Sequence, residues 1–248
     1  MTIAILSDIH GNLPALEAVL DDLRGRSFDA VYCLGDLVGY GASPNEVVSR
    51  IRAEGIPTII GNYDDGVGFD RDDCGCAYRE DGERARGQRS LMWTRQQTTA
   101  DHKAYLRSLV PQIRLEANGR RVLLVHGSPR RMNEYLFEDR PLSSFERLAA
   151  ASDADVIVFG HTHRPYTKLV GDVLFVNAGS IGKPKDGDWR ACYILLTPGA
   201  ADPVEFIRVP YDVGRAAAAI RSTDLPHEFA DDIERGGAPA PTHTEVEP

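Results

Sequence analysis

Residues 3–14 read Ile3-Ala4-Ile5-Leu6-Ser7-Asp8-Ile9-His10-Gly11-Asn12-Leu13-Pro14. The first four form a short Ile- and Leu-rich run of the kind that makes a buried strand. Asn12-Leu13-Pro14 then opens a helix with proline in its first turn, where no amide hydrogen is needed. Leu13, Leu16, Val19, Leu20 and Leu23 keep helical spacing to Arg24. Strand, polar turn and helix make the first half of a βαβ unit. Between them stand Asp8 and His10, a carboxylate and an imidazole at a strand end.

The same arrangement recurs. Apolar runs at 31–34, 58–60, 122–125 and 156–159 are followed by Gly35-Asp36, Gly61-Asn62-Tyr63-Asp64, His126-Gly127 and Gly160-His161-Thr162-His163. Polar groups just past five strand ends are expected to converge on one edge of a sheet, where α/β proteins keep their sites. Asp8 with His10, and His161 with His163, share a face if the extended conformation continues past the strand. Carboxylate oxygen and imidazole nitrogen suit Mn, Fe, Zn, Co or Ni, and the absence of thiolate disfavours a purely structural zinc. Two such ions roughly 3.5–4 Å apart can clamp a phosphoryl group and lower the pKa of a water between them. One carboxylate must bridge them, and Asp36 is the natural candidate. Each motif alone is ordinary, since Asp-x-His and Gly-Asp are common in turns; their joint, ordered occurrence carries the reading.

Outward from these motifs, Ser43-Pro44-Asn45-Glu46 combines a capping box with a first-turn proline and starts a second helix. A Gly- and Asp-rich segment at 64–78 reads as a solvated loop, followed by helices at about 81–96 and 99–109. From residue 112 the pattern changes to hairpins: strands at 113–116 and 122–125 about Asn118-Gly119, at 168–170 and 173–176 about Gly171-Asp172, and a pair at 191–197 and 204–209. Parallel units followed by antiparallel ones predict two mixed sheets stacked together with helices outside. Residues 1–235 are expected to form a single domain, and the polar, Pro-rich stretch 236–248 a disordered tail.

The chain has 248 residues, 42% of them hydrophobic, enough to bury a full core. Its net charge of −9 offers no broad basic face for gripping duplex DNA. The N-terminus lacks a signal-peptide pattern and no apolar run approaches a membrane span, so a cytoplasmic protein without membrane attachment is expected. Cys33 and Cys192 sit in apolar runs and read as core. Cys74-Gly75-Cys76 lacks the C-x-x-C spacing of zinc or redox sites and reads as loop, with a metal or redox role the lesser alternative. His102, His227 and His243 are assigned no role.

The motif order Asp-x-His, Gly-Asp, Gly-Asn-x-Asp, His and Gly-His-x-His, spanning roughly residues 3–182, resembles that of the calcineurin-like metallophosphoesterases. Asp8-Ile9-His10-Gly11-Asn12 and Gly35-Asp36-Leu37-Val38-Gly39-Tyr40-Gly41 are similar to the small bacterial and archaeal phosphodiesterases among them. The resemblance implies an α/β fold, a four-layer α/β/β/α sandwich. It implies that Asp8, His10, Asp36 and His163 hold one metal, and that Asp36, Asn62, His126 and His161 hold the other, with manganese the favoured ion. The activity it implies is hydrolysis of a small phosphodiester or nucleotide polyphosphate with a metal-bound water as nucleophile. The alternative is a catalytically weak member that serves as a binding scaffold.

One departure bears on that choice. Where the family has Gly-Asn-His-Asp, this chain has Tyr63, which would contact the leaving group or phosphate in place of the family histidine. A phenol is a poorer general acid than imidazolium near neutral pH. Asn12 reads as a phosphate contact or equally as a helix cap. Arg130 and Arg131 read as phosphate contacts or, more ordinarily, as solvated side chains. Asn177-Ala178-Gly179-Ser180 resembles the family's tight turn near the metals. Substrate identity, oligomeric state and the resident metals stay open.

Overall fold

The computed structural model describes residues 1–77 and 80–237. Its first half runs β1 (Ile3–Leu6), α1 (Leu13–Arg24), β2 (Ala30–Cys33), α2 (Pro44–Ala53), α3 (Asn62–Gly68), α4 (Asp81–Gln97) and α5 (Ala100–Ser108). The second half runs β3 (Gln112–Ala117), β4 (Arg120–Val125), α6 (Leu142–Ser152), β5 (Val156–Phe159), β6 (Tyr166–Val170), β7 (Val173–Asn177), β8 (Ala191–Leu196) and β9 (Val204–Val209). It closes with α7 (Val213–Arg221) and α8 (Glu228–Glu234).

The strands make two mixed sheets, ordered β2-β1-β8-β9 and β3-β4-β5-β7-β6. Strand periodicity then builds four layers. Ile3 and Ile5 point between the sheets, where they meet Val122, Leu124, Val156 and Val158. Their neighbours Ala4 and Leu6 face the other way, toward Leu16, Val19 and Leu20 of α1. On the second sheet Leu123, Val125, Ile157 and Phe159 pack on Phe145 and Leu148 of α6. Both sheets are therefore apolar on both faces, which is why β1, β4 and β5 read as continuous apolar runs rather than alternating ones.

The predicted hairpins form in register. Asn118 (φ 52°) and Gly119 (φ 72°) take the two left-handed positions of the β3–β4 turn. Four expectations need correction. Residues 58–60 are not a strand: Thr58 and Ile59 make only isolated bridges, to Cys33 and Val110. Ser43 makes no side-chain cap on α2; Asn45 turns outward instead and accepts from the Thr99 amide at 3.0 Å. The acidic segment after residue 61 begins as helix α3 and is tied down, with Arg71 on Asp65 and Lys103 on Asp70. Gly236 and Gly237, expected in the tail, form a turn that closes α8 onto Gly187. Residues 238–248, the rest of that tail, lie outside the described residues. Among the described residues no helix is long and apolar enough to cross a membrane.

Candidate metal centre

All seven predicted ligands are buried, none more than 3% exposed, and they come together. They do not sit on one sheet edge as expected. Asp8, His10 and Asp36 follow β1 and β2 of the first sheet, whereas His126, His161 and His163 follow β4 and β5 of the second. The site straddles the common end of both sheets. Nor does extended backbone place Asp8 with His10. The strand stops at Leu6, and Asp8 (φ 52°), His10 (φ 50°), Asp36 (φ 52°), His161 (φ 64°) and His163 (φ 59°) all adopt left-handed conformations. Asp and His tolerate that region better than most side chains, though at a cost of order 1–3 kcal/mol each, and such outliers cluster at functional sites. Neighbouring glycines admit the crowding: a Cβ at Gly61 would fall 2.1 Å from Asp36 Oδ1, and one at Gly160 2.3 Å from Asp8 Oδ2.

Three of the four candidate imidazoles are aimed by a second contact. His10 Nδ1 donates to the Val38 carbonyl at 3.0 Å, His126 Nδ1 to Leu34 O at 2.8 Å and His163 Nδ1 to Lys183 O at 2.6 Å. With Nδ1 as donor, Nε2 presents its lone pair inward, the orientation of metal-ligating histidine. The carboxylates divide likewise. Asp8 Oδ2 accepts from the His161 amide at 3.0 Å, and Asp36 Oδ1 from the Tyr63 amide at 2.8 Å. Asp8 Oδ1 stays 3.2 Å from His163 Nε2. Asp36 Oδ2 lies 3.3 Å from His126 Nε2 and 3.6 Å from His10 Nε2, so one oxygen faces both halves of the site.

The donor set fits two cations. Ligand atoms of Asp8, His10 and His163 lie within 4.8 Å of one another, and so do those of Asp36, His126 and His161. His10 Nε2 and His163 Nε2 face each other at 3.1 Å, two inward lone pairs that repel unless a cation lies between them. His126 Nε2 and Asn62 Oδ1 lie 3.0 Å apart, close enough to share either a ring proton or a cation. Asp8 Oδ1 and His161 Nε2 are buried with no hydrogen-bond partner, a costly condition that coordination would remove. Burial, reinforced by His163, drives His10 down to about 3 despite Asp36 and Asp8, and burial with His126 likewise drives His161 to about 3; both stay neutral, as ligands must. Burial opposes charge on His126 too, but Asp36 outweighs it and raises that ring to about 10. A proton there occupies the place of a positive ion.

Asp64 supports the site from behind. Its carboxylate accepts from the amides of Asp36 at 2.7 Å, Leu37 at 2.9 Å and Gly61 at 3.0 Å. Burial and the charge of Asp36 lift it to about 7. The Asn177 turn behaves as its sequence suggests, with Nδ2 on Gly160 O and Ser180 Oγ on Asp8 O.

The sequence-predicted substrate contacts fare unevenly. Tyr63 is 1% exposed, lying edge-on to His10 at 5.5 Å and against Tyr40 at 4.6 Å. Arg130 is engaged by Glu134, while Arg131 is exposed beside it. Asn12 is a helix cap: its oxygen accepts from the Ala15 amide at 3.2 Å, and its nitrogen donates to Gly182 O at 2.9 Å and Tyr211 Oη at 3.2 Å. Asn12→Ala is therefore expected to lower unfolding free energy by about 1–2 kcal/mol in denaturant titration. Unchanged stability with a raised KM would return Asn12 to the substrate.

Sequence reasoning missed one wall. Phe229 of α8 packs edge-on against Tyr40 at 5.0 Å, and Tyr40 packs edge-on against His10 at 4.8 Å. Lys183, bound to Asp232 at 2.6 Å, lies over both Tyr40 and Phe229. Tyr40, Lys183 and Phe229, with Ile220 and Ile233, line a cavity of about 20 Å³ beside His10, room for one water. The stretch Gly182-Lys183-Pro184-Lys185 was the available signal. Lys185, whose amide donates to His163 O at 3.2 Å, is lowered to about 8 by burial and by Lys183.

The profile of the calcineurin-like phosphoesterase superfamily domain matches residues 1–199. The chain belongs to that superfamily. With it comes the class of activity, metal-dependent phosphoester hydrolysis. An uncharacterized protein of Methanocaldococcus jannaschii is 34% identical over 242 residues, covering 90% of this chain and 93% of that protein. The phosphodiesterase YfcE of Escherichia coli K12 is 28% identical over 206 residues, 79% of this chain and 87% of its own length. A solved metallophosphoesterase from Sphaerobacter thermophilus is 32% identical, with a TM-score of 0.74 over 95% of this chain and 99% of that one. Superfamily membership agrees with the two stacked mixed sheets and with both ligand clusters.

Proposed function

We propose that this superfamily member is a dinuclear-metal phosphoesterase that hydrolyses a small phosphodiester or a nucleotide polyphosphate, with manganese the favoured ion. The single observation that carries the reading is Asp36 Oδ2, placed within 3.6 Å of His10 Nε2 and 3.3 Å of His126 Nε2, where a bridging ligand belongs. Asp8, His10, Asp36 and His163 would hold one cation, and Asp36, Asn62, His126 and His161 the other. Two divalent ions so held supply charge stabilisation to a phosphoryl group and a nucleophile from water at neutral pH. The chain's own contribution is orientation: backbone carbonyls fix three of the four imidazoles, and Asp64 with the Tyr63 amide fixes Asp36. Tyr63, edge-on to His10, would contact the leaving group or the phosphate. The scaffold alternative rests on Tyr63 alone, and retention of seven buried ligands favours the enzyme.

The test is hydrolysis by chelator-stripped protein of bis-p-nitrophenyl phosphate, p-nitrophenyl phosphate and a dinucleoside tetraphosphate, with Mn, Ni, Co, Zn and Mg restored singly. Turnover of the diester or the polyphosphate that depends on a transition metal is expected. Stoichiometric binding of metal without turnover of any of the three would favour the scaffold.

A further inference from the structure

Cys74-Gly75-Cys76 brings two sulfurs together beside a candidate ligand. The Sγ atoms lie 2.9 Å apart, so about 0.9 Å of approach separates them from a disulfide bond. The turn between them is held. Gly75 has φ +68°, and a Cβ there would fall 2.3 Å from Asn133 Nδ2. Its amide donates to Asp73 Oδ1 at 2.8 Å, and its carbonyl accepts from Asn133 at 3.1 Å. Both cysteines also touch Asn62. The Asn62 amide nitrogen donates to Cys74 O at 3.0 Å and to Cys76 Sγ at 3.2 Å, while its oxygen faces His126 Nε2 at 3.0 Å. The other two cysteines, Cys33 and Cys192, are wholly buried in the core, whereas Cys76 is half-buried.

We propose that Cys74 and Cys76 are a peroxide-oxidisable dithiol whose closure to a disulfide loosens Asn62 and weakens the cation site that Asn62 and His126 share. This rests on reading Asn62 as a ligand. In the reaction two S–H bonds and the peroxide O–O bond break, one S–S bond forms, and two waters leave. Both sulfurs are oxidised and hydrogen peroxide is reduced. A dithiol reductant reverses the step and becomes a disulfide itself. Closure draws Cys76 Sγ toward Cys74, away from the position in which it accepts from Asn62, and Cys74 O moves with the same turn. Losing an outer contact to a ligand costs typically 10–100-fold in metal affinity.

The experiment uses the full chain, treated with hydrogen peroxide and then catalase, with remaining thiols alkylated after unfolding and mapped by mass spectrometry. The expected result is a disulfide joining Cys74 and Cys76, reversed by dithiothreitol, with Cys33 and Cys192 still alkylated. Manganese titration of the oxidised protein is expected to show one of two sites loosened at least about 10-fold and restored on reduction, with no peroxide effect in Cys76→Ser. Sulfinic acid in place of the disulfide would overturn the dithiol. A disulfide with unchanged manganese affinity would overturn the coupling. A reduced protein that binds only one manganese ion would overturn the reading of Asn62 as a ligand, and the disulfide map separates that failure from the first.

Discussion

Asp36→Asn is expected to lower metal-dependent phosphoester turnover by about 10³-fold or more, some 4 kcal/mol of transition-state stabilisation, the scale of charge stabilisation that a bound cation supplies. The substitution keeps shape and one hydrogen bond, since the amide oxygen can still accept from the Tyr63 amide as Asp36 Oδ1 does. What it removes is the negative oxygen that faces both His10 and His126. It also relieves Asp64 but takes from His126 the carboxylate that holds its proton, so the two effects on the metal-free fold oppose each other. Circular dichroism and melting without metal check the fold, and metal analysis should find fewer than two ions per chain. Two ions retained with undiminished turnover would show that Asp36 is not the bridge.

Tyr63→His is expected to raise turnover of alkyl phosphodiesters by about 10²-fold while changing p-nitrophenyl esters little, because only the poor leaving group needs a proton and general acids contribute typically 10²–10⁴-fold. The side chain at 63 starts next to Asp36, whose Oδ1 its own amide holds, and lies edge-on to His10. An imidazole, with an ordinary pKa near 6.5 against about 10 for the phenol, is the better acid there. The ring is buried against Tyr40, so the smaller side chain should also cost stability, about 1–3 kcal/mol for the space it leaves. Steady-state kinetics on matched alkyl and aryl esters at equal metal occupancy decides the matter. Equal gains on both ester types, or none, would show that residue 63 does not set the leaving-group preference.

The candidate ligands were legible because each follows an apolar run that a linear reading can find. Their geometry was not. Alternation along an extended strand predicted that Asp8 and His10 share a face, and they do converge, but through left-handed residues that no periodicity reveals. One sheet edge became two because β4 and β5 belong to a second sheet, and strand spacing carries no record of which sheet a strand joins. Helices α6, α7 and α8 went unassigned; four of the nine residues of α7 are alanine, and α8 is only seven residues long, too short for its spacing to announce a face. Asn12 looked equally like a cap and a phosphate contact because its decisive partners, Gly182 and Tyr211, lie more than 160 residues away. The Cys74–Cys76 turn read as loop for the same reason: its contact with Asn62 exists only in the fold.

Helices α7 and α8 fall beyond residues 1–199, the part that matches the superfamily profile, yet Phe229 and Asp232 reach back to Tyr40 and Lys183 beside His10. The wall beside His10 is thereby completed by a stretch of chain outside the one that carries every candidate ligand. A change confined to that C-terminal pair of helices would alter the wall and leave the candidate ligands in place.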